Sequence, residues 1–77
     1  MINYSTTTNN KFSERLKDLR EEKGLSRHAL TKALSIGGSS TINRWETEKK
    51  EISIYYLIRL ADFFDVSIDY LVGRVDD

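Results

Sequence analysis

The chain has 77 residues, with 12 Lys and Arg against 12 Asp and Glu, one His and no Cys. That length holds one domain and buries only about 60% of the unfolded surface, and without cysteine there is no disulfide or thiol chemistry. His28 has no cluster of His, Asp or Glu at ligand spacing around it, no apolar run approaches the roughly 20 residues of a membrane span, and Met1-Ile2-Asn3-Tyr4 lacks the regions of a signal peptide, so a cytoplasmic protein with no cofactor, metal or membrane partner is expected.

Residues 1–10 are polar and aperiodic, with no basic residue before Lys11, and read as a disordered tail ahead of one domain over residues 11–74. The first predicted helix runs from about Asn10 to Lys23, with Phe12, Leu16 and Leu19 at helical spacing and Gly24 as the left-handed residue that closes it. Ser26 caps a second helix reaching about Ser35, with Leu30, Ala33 and Leu34 inward. Gly37-Gly38 mark a break. A third helix starts at Ser39 or Ser40 and ends near Thr47, followed by the charged loop Glu48-Lys49-Lys50-Glu51. Ser53 caps the fourth, whose inward set is read as Ile54, Leu57, Ile58, Ala61 and Phe64. Ser67 caps a short fifth, with Ile68, Leu71 and Val72 inward and Gly73 behind it. Ile52 and Val66 each precede a capping Ser and are placed to staple onto Leu57 and Leu71. Proline is absent and no segment alternates with period two, so the fold class is all-α, five short helices around one core.

The zero net charge hides a segregation. Residues 1–22 balance; residues 23–50 hold six basic residues against two acidic, for +4; residues 51–77 hold two against six, for −4. Such a molecule can turn its basic part toward phosphate and its acidic part away.

The third helix, Ser39-Ser40-Thr41-Ile42-Asn43-Arg44-Trp45-Glu46-Thr47, carries the chemistry. At about 100° per residue, Ile42, Trp45 and Glu46 share one sector and Ser40, Asn43, Arg44 and Thr47 the opposite one, flanked by Ser39 and Thr41. That outer face has no large apolar group. Arg can fork to O6 and N7 of guanine and Asn can pair with N6 and N7 of adenine, so the face suits the major groove of double-stranded DNA. No nucleophile–base pair or phosphate-binding loop accompanies it, and an enzyme is not expected.

The wider pattern reads Leu25-Ser26, Leu30 and Leu34, then Ser40-Thr41-Ile42 and Trp45-Glu46, then Lys49-Lys50, then Leu57-Ile58-x-Leu60-Ala61-Asp62-x-Phe64-x-Val66-Ser67-Ile68-Asp69-Tyr70-Leu71-Val72-Gly73. Over residues 12–74 it resembles the phage-repressor-like (Cro/repressor, XRE-type) helix-turn-helix family. The resemblance implies a lambda-repressor-like domain that regulates transcription, a phage- or prophage-type repressor that binds a near-palindromic operator as a homodimer. It implies base reading by Ser39, Ser40, Thr41, Asn43, Arg44 and Thr47, and phosphate contacts from Ser26, Arg27, Lys49 and Lys50. It implies an Arg20–Glu46 pair that, with Trp45, locks the first helix to the third. It places a dimer interface on the C-terminal helices, with Phe63, Ile68, Tyr70 and Val72 as candidates. The stripe Tyr56, Leu60, Phe63 reads either as core or as interface. The alternative function on the same fold is a protein-interaction module, such as an antitoxin or antirepressor component. The chain departs from the family pattern at Ser35 and Glu48, where Gly is usual, at Ile52, often Pro, at Ala29, commonly Glu, and at Thr31, often Ala. One extra residue lies between Leu34 and Ile42, which is expected to be absorbed in the turn over residues 35–39, where two glycines tolerate unusual dihedrals.

Overall fold

The computed structural model describes residues 10–47 and 52–76. Five helices follow in order: α1 Asn10–Glu22, α2 Arg27–Leu34, α3 Ser39–Thr47, α4 Ile54–Phe64 and α5 Ile68–Leu71, with no strand among the described residues. The 1–9 tail and the Lys49-Lys50 loop lie outside the described residues.

Three serines start three of these helices. The side-chain oxygens of Ser26, Ser53 and Ser67 accept from the N–H groups of Ala29, Tyr56 and Tyr70 at 3.0, 3.3 and 2.9 Å. Each supplies a partner to a first-turn donor that the helix cannot satisfy, worth about 1 kcal/mol.

Four helices end alike. A left-handed residue closes each: Gly24 (φ 70°), Ser35 (54°), Asp65 (56°) and Gly73 (85°). Behind α1, α2 and α4 the next residue is apolar, and its N–H reaches back five residues: Leu25 to Arg20, Ile36 to Thr31, Val66 to Ala61, at 3.0–3.1 Å. Leu25, Ile36 and Val66 then pack on the core, which is the apolar contact that accompanies this type of helix ending. The break between α2 and α3 is therefore made by Ser35. Gly37 and Gly38, expected to supply the unusual dihedrals, do not take positive φ. The Ser35 N–H donates to the carbonyls of Lys32 and Thr31 in the last turn of α2.

The core joins all five helices. Phe12, Leu16, Leu30, Ile42, Leu57, Leu60 and Leu71 are fully buried, with Leu34, Ile52, Ala61 and Phe64 beside them. Each such aliphatic or aromatic side chain contributes about 1.5–3 kcal/mol by leaving water. The structure moves two inward faces. On α2, Thr31 is buried and Ala33 exposed; the Thr31 hydroxyl donates to the His28 carbonyl at 2.6 Å, so its burial leaves no orphan donor. On α4, Leu60 is buried while Ile54 and Ile58 are 55% and 45% exposed. The face centres on Leu57, Leu60, Ala61 and Phe64, rotated away from the Ile54–Ile58 edge because α4 must meet α5 as well as the core.

Candidate nucleic-acid interface

Helix α3 is held from three sides. α1 and α2 both pack against it, Ile42 is fully buried, and Trp45 stacks at a tilt on Tyr56 of α4 with ring centroids 5.3 Å apart. Its last turn is tied from α1: the Ser13 hydroxyl donates to the Trp45 carbonyl at 3.0 Å. The opposite face is free. Ser39, Ser40, Asn43, Arg44 and Thr47 are exposed, and Thr41 is half-buried. Of the six residues expected to contact bases, five are thus exposed on α3 and Thr41 lies at the flank of that face. The Thr47 hydroxyl donates to the Asn43 carbonyl at 2.7 Å. With its proton so used, Thr47 offers its oxygen as an acceptor and its methyl group, the latter suited to a thymine methyl.

Beneath this face lies an ion cluster. Glu46 is buried, and both its carboxylate oxygens are occupied. Arg20 Nε donates to Oε2 at 2.7 Å and Arg20 Nη2 to Oε1 at 3.1 Å. Arg27 Nε donates to Oε1 at 3.1 Å. Arg20 also gives Nη1 to the Leu25 carbonyl at 2.8 Å. The hydrogen bond to Glu46 raises the Arg20 pKa above its ordinary value, helped by the charges of Glu46 and Glu21 against the opposing effect of burial, so the guanidinium stays charged throughout the physiological range. A single carboxylate on α3 thus fastens α1 and the first residue of α2.

Ser26 and Arg27, the phosphate candidates among the described residues, stand together at the start of α2. The Ser26 oxygen is taken by the Ala29 N–H, which leaves its hydroxyl proton to donate. Lys49 and Lys50 fall outside the described residues. His28 is exposed beside Arg27.

The interface candidates Phe63, Ile68, Tyr70 and Val72 are each half-buried against the core or its edge. Phe63 meets Phe64 edge-on at 5.0 Å. Of the stripe weighed between core and interface, Leu60 is core and Tyr56 and Phe63 lie half-buried at its margin. The exposed apolar side chains of α4 are instead Ile54, Tyr55 and Ile58. Two arginines that sequence reasoning passed over hold the frame. Arg15 lies under Tyr70, its guanidinium 4.2 Å from the ring centroid, and donates to the carbonyls of Tyr70 and Val75 and to Asp76. Arg59 donates to the carbonyl of Leu34 at the end of α2. The sequence carries no signal for Arg15 beyond its place three residues after Phe12 and one before Leu16, on the flank of the apolar stripe.

A family model described as helix-turn-helix matches residues 16–71. The HTH-type transcriptional regulator PrpR of Mycobacterium tuberculosis is 39% identical over 62 residues, covering 80% of this chain and 13% of that protein. The uncharacterised HTH-type transcriptional regulator YobD of Bacillus subtilis is 35% identical over 66 residues, covering 86% of this chain and 58% of its own length. The chain therefore spans less than two thirds of either curated relative. Among solved structures, a transcriptional regulator from Listeria innocua superposes with a TM-score of 0.73 at 36% identity, covering 86% of this chain and 61% of that one. The restriction-modification controller protein C.AhdI from Aeromonas hydrophila does so with a TM-score of 0.69 at 29% identity, covering 80% and 92%.

Proposed function

The chain belongs to the phage-repressor-like, XRE-type helix-turn-helix family, and from that premise we propose that it regulates transcription by binding DNA sequence-specifically in the major groove. One observation carries the reading: α3 has its apolar and ionic residues, Ile42 and Glu46, buried, while Ser39, Ser40, Asn43, Arg44 and Thr47 are exposed together with no large apolar group among them. A helix held rigidly by its inner face and polar on its outer face is what groove reading requires. Arg44 is the first base reader in this proposal, followed by Asn43 and Ser40. Ser26, Arg27, Lys49 and Lys50 set the register on phosphates. The finer reading is a phage- or prophage-type cytoplasmic repressor acting as a homodimer, with two α3 helices about 34 Å apart on a near-palindromic operator, and Phe63, Ile68, Tyr70 and Val72 available to the dimer contact.

The test is selection of bound sites from random duplexes, followed by titration against the selected site. Arg44→Ala is expected to cost about 1–3 kcal/mol and to relax preference at one base pair. Lys49→Ala is expected to weaken all sequences alike and to reduce the salt slope by about 0.9. Two half-sites one helical turn apart support the dimer; a single uninterrupted half-site removes it. A second reading, a protein-interaction module on the same fold, draws on the exposed Ile54, Tyr55 and Ile58 of α4. Affinity for duplex that does not fall as salt rises decides for that reading and against DNA binding.

A further inference from the structure

The ion cluster under α3 gathers two arginines and two carboxylates: Arg20 lies 2.7 Å from Glu46 and 3.9 Å from the exposed Glu21, and Arg27 lies 3.1 Å from Glu46. Glu46 carries one negative charge and has no exposed side-chain surface, while Arg20 and Arg27 bring two positive charges to its two oxygens. The two arginines are used differently. Arg20 is 9% exposed and spends Nε, Nη1 and Nη2 inward, on Glu46 and the Leu25 carbonyl. Arg27 is 38% exposed and, among the described residues, spends only Nε, on Glu46 Oε1. Its Nη1 and Nη2 keep their N–H donors, and they belong to the residue that follows Ser26, whose hydroxyl proton is likewise uncommitted.

We propose that Glu46 is a positioning residue for a phosphate clamp, in which Arg27 bridges the buried carboxylate through Nε and a DNA phosphodiester through Nη1 and Nη2. The diester supplies the acceptors that Arg27 Nη1 and Nη2 do not find among the described residues. The bridge needs a guanidinium, because an arginine side chain can bond a carboxylate from its Nε edge while its outer nitrogens fork onto phosphate oxygens, whereas an ammonium is a point charge on a flexible stem. Glu46 lies two residues after Arg44 on α3, so the clamp on α2 and the base-reading face of α3 are referenced to the same carboxylate. A phosphate held by Arg27 thereby sets the depth at which α3 enters the groove. The inference rests on the DNA-binding reading above.

The experiment compares wild type, Arg27→Ala and Arg27→Lys on the selected duplex across a salt series, with folding checked by thermal melting. Both variants leave the Arg20–Glu46 bonds in place, so both are expected to fold. Arg27→Ala should weaken binding about tenfold and take about 0.9 from the salt slope, the loss of one phosphate contact. Arg27→Lys, which keeps the charge, should recover little of that affinity. In a double-mutant cycle, with each variant melted to confirm folding, Glu46→Gln should weaken binding more when Arg27 is present than once Arg27 is Lys, the remainder being the loss of the Arg20–Glu46 bonds. Wild-type affinity in Arg27→Lys overturns the clamp, since any surface cation would then serve. So does a Glu46→Gln effect of equal size in both backgrounds. If the wild type binds no duplex at all, the DNA-binding reading falls and the clamp falls with it. If it binds and Arg27→Lys is unaffected, only the clamp falls.

Discussion

Gly73, Gly24 and Gly37 form a graded test of how this fold is held together, because the same added methyl meets a different situation at each. At Gly73 the backbone is left-handed (φ 85°), and a Cβ would lie 2.6 Å from Lys11 Cβ and 2.9 Å from Lys11 Cγ. The first of these atoms is fixed to the α1 backbone and cannot swing away. Gly73→Ala therefore carries about 1 kcal/mol for positive φ and a further 1–3 kcal/mol, approximately, for forcing α1 and the end of α5 apart. Gly24 is also left-handed (φ 70°) but has nothing within 4 Å of the added atom, so Gly24→Ala should cost about 1 kcal/mol. Gly37 has neither positive φ nor a close neighbour, the nearest atom being Thr41 Oγ1 at 4.0 Å. Gly37→Ala should raise stability by about 0.4–1 kcal/mol through the unfolded chain. Urea denaturation of the three variants, with equal slopes, reads these as shifts in midpoint, and by heat each kcal/mol corresponds to about 4–8 °C at this size. If Gly73→Ala is no more destabilising than Gly24→Ala, the close seating of Gly73 on α1 is wrong. If Gly37→Ala destabilises, the assignment of the turn's strain to Ser35 is wrong.

Ser35→Gly should stabilise the domain by about 0.5–1 kcal/mol, since it relieves a left-handed Ser at the end of α2; a loss of stability in urea would contradict this. Glu46→Ala should cost about 3–5 kcal/mol, because it strands Arg20 and Arg27 together, read as a fall of the urea midpoint. Arg20→Ala should cost less, since Arg27 remains on the carboxylate. Leu60→Ala should cost about 2–5 kcal/mol and Ile58→Ala less than about 0.5, measured at low protein concentration; equal losses would return the buried face of α4 to the Ile54–Ile58 edge.

Much of this molecule is legible locally. Ser26, Ser53 and Ser67 mark helix starts because a hydroxyl one residue ahead of an apolar period satisfies a first-turn N–H, whatever the rest of the chain does. The polar face of α3 is legible because Ile42 and Trp45 lie three apart and leave Asn43, Arg44 and Thr47 on the other side. Ser35 and Asp65 are left-handed closures without glycine, and the apolar residues behind them, Ile36 and Val66, were the available signal.

Tertiary structure decided what angular spacing leaves open. On α4 apolar residues occur almost all round, so both Ile54-Leu57-Ile58-Ala61 and Leu57-Leu60-Ala61-Phe64 satisfy the period, and only the place of α5 and the core selects the second. On α2 the buried arc takes Thr31 rather than Ala33 because a back-bonded hydroxyl costs little to bury. The grip of Arg15 on residues 70–76 spans more than fifty positions of sequence. The meeting of Arg20 and Arg27 on one carboxylate joins three helices. Helix starts and the polarity of one face are properties of neighbours in sequence, and the 77 residues determine them alone. Which flank is buried, and which charges meet, depends on where other helices stand, and that exists only in the folded chain.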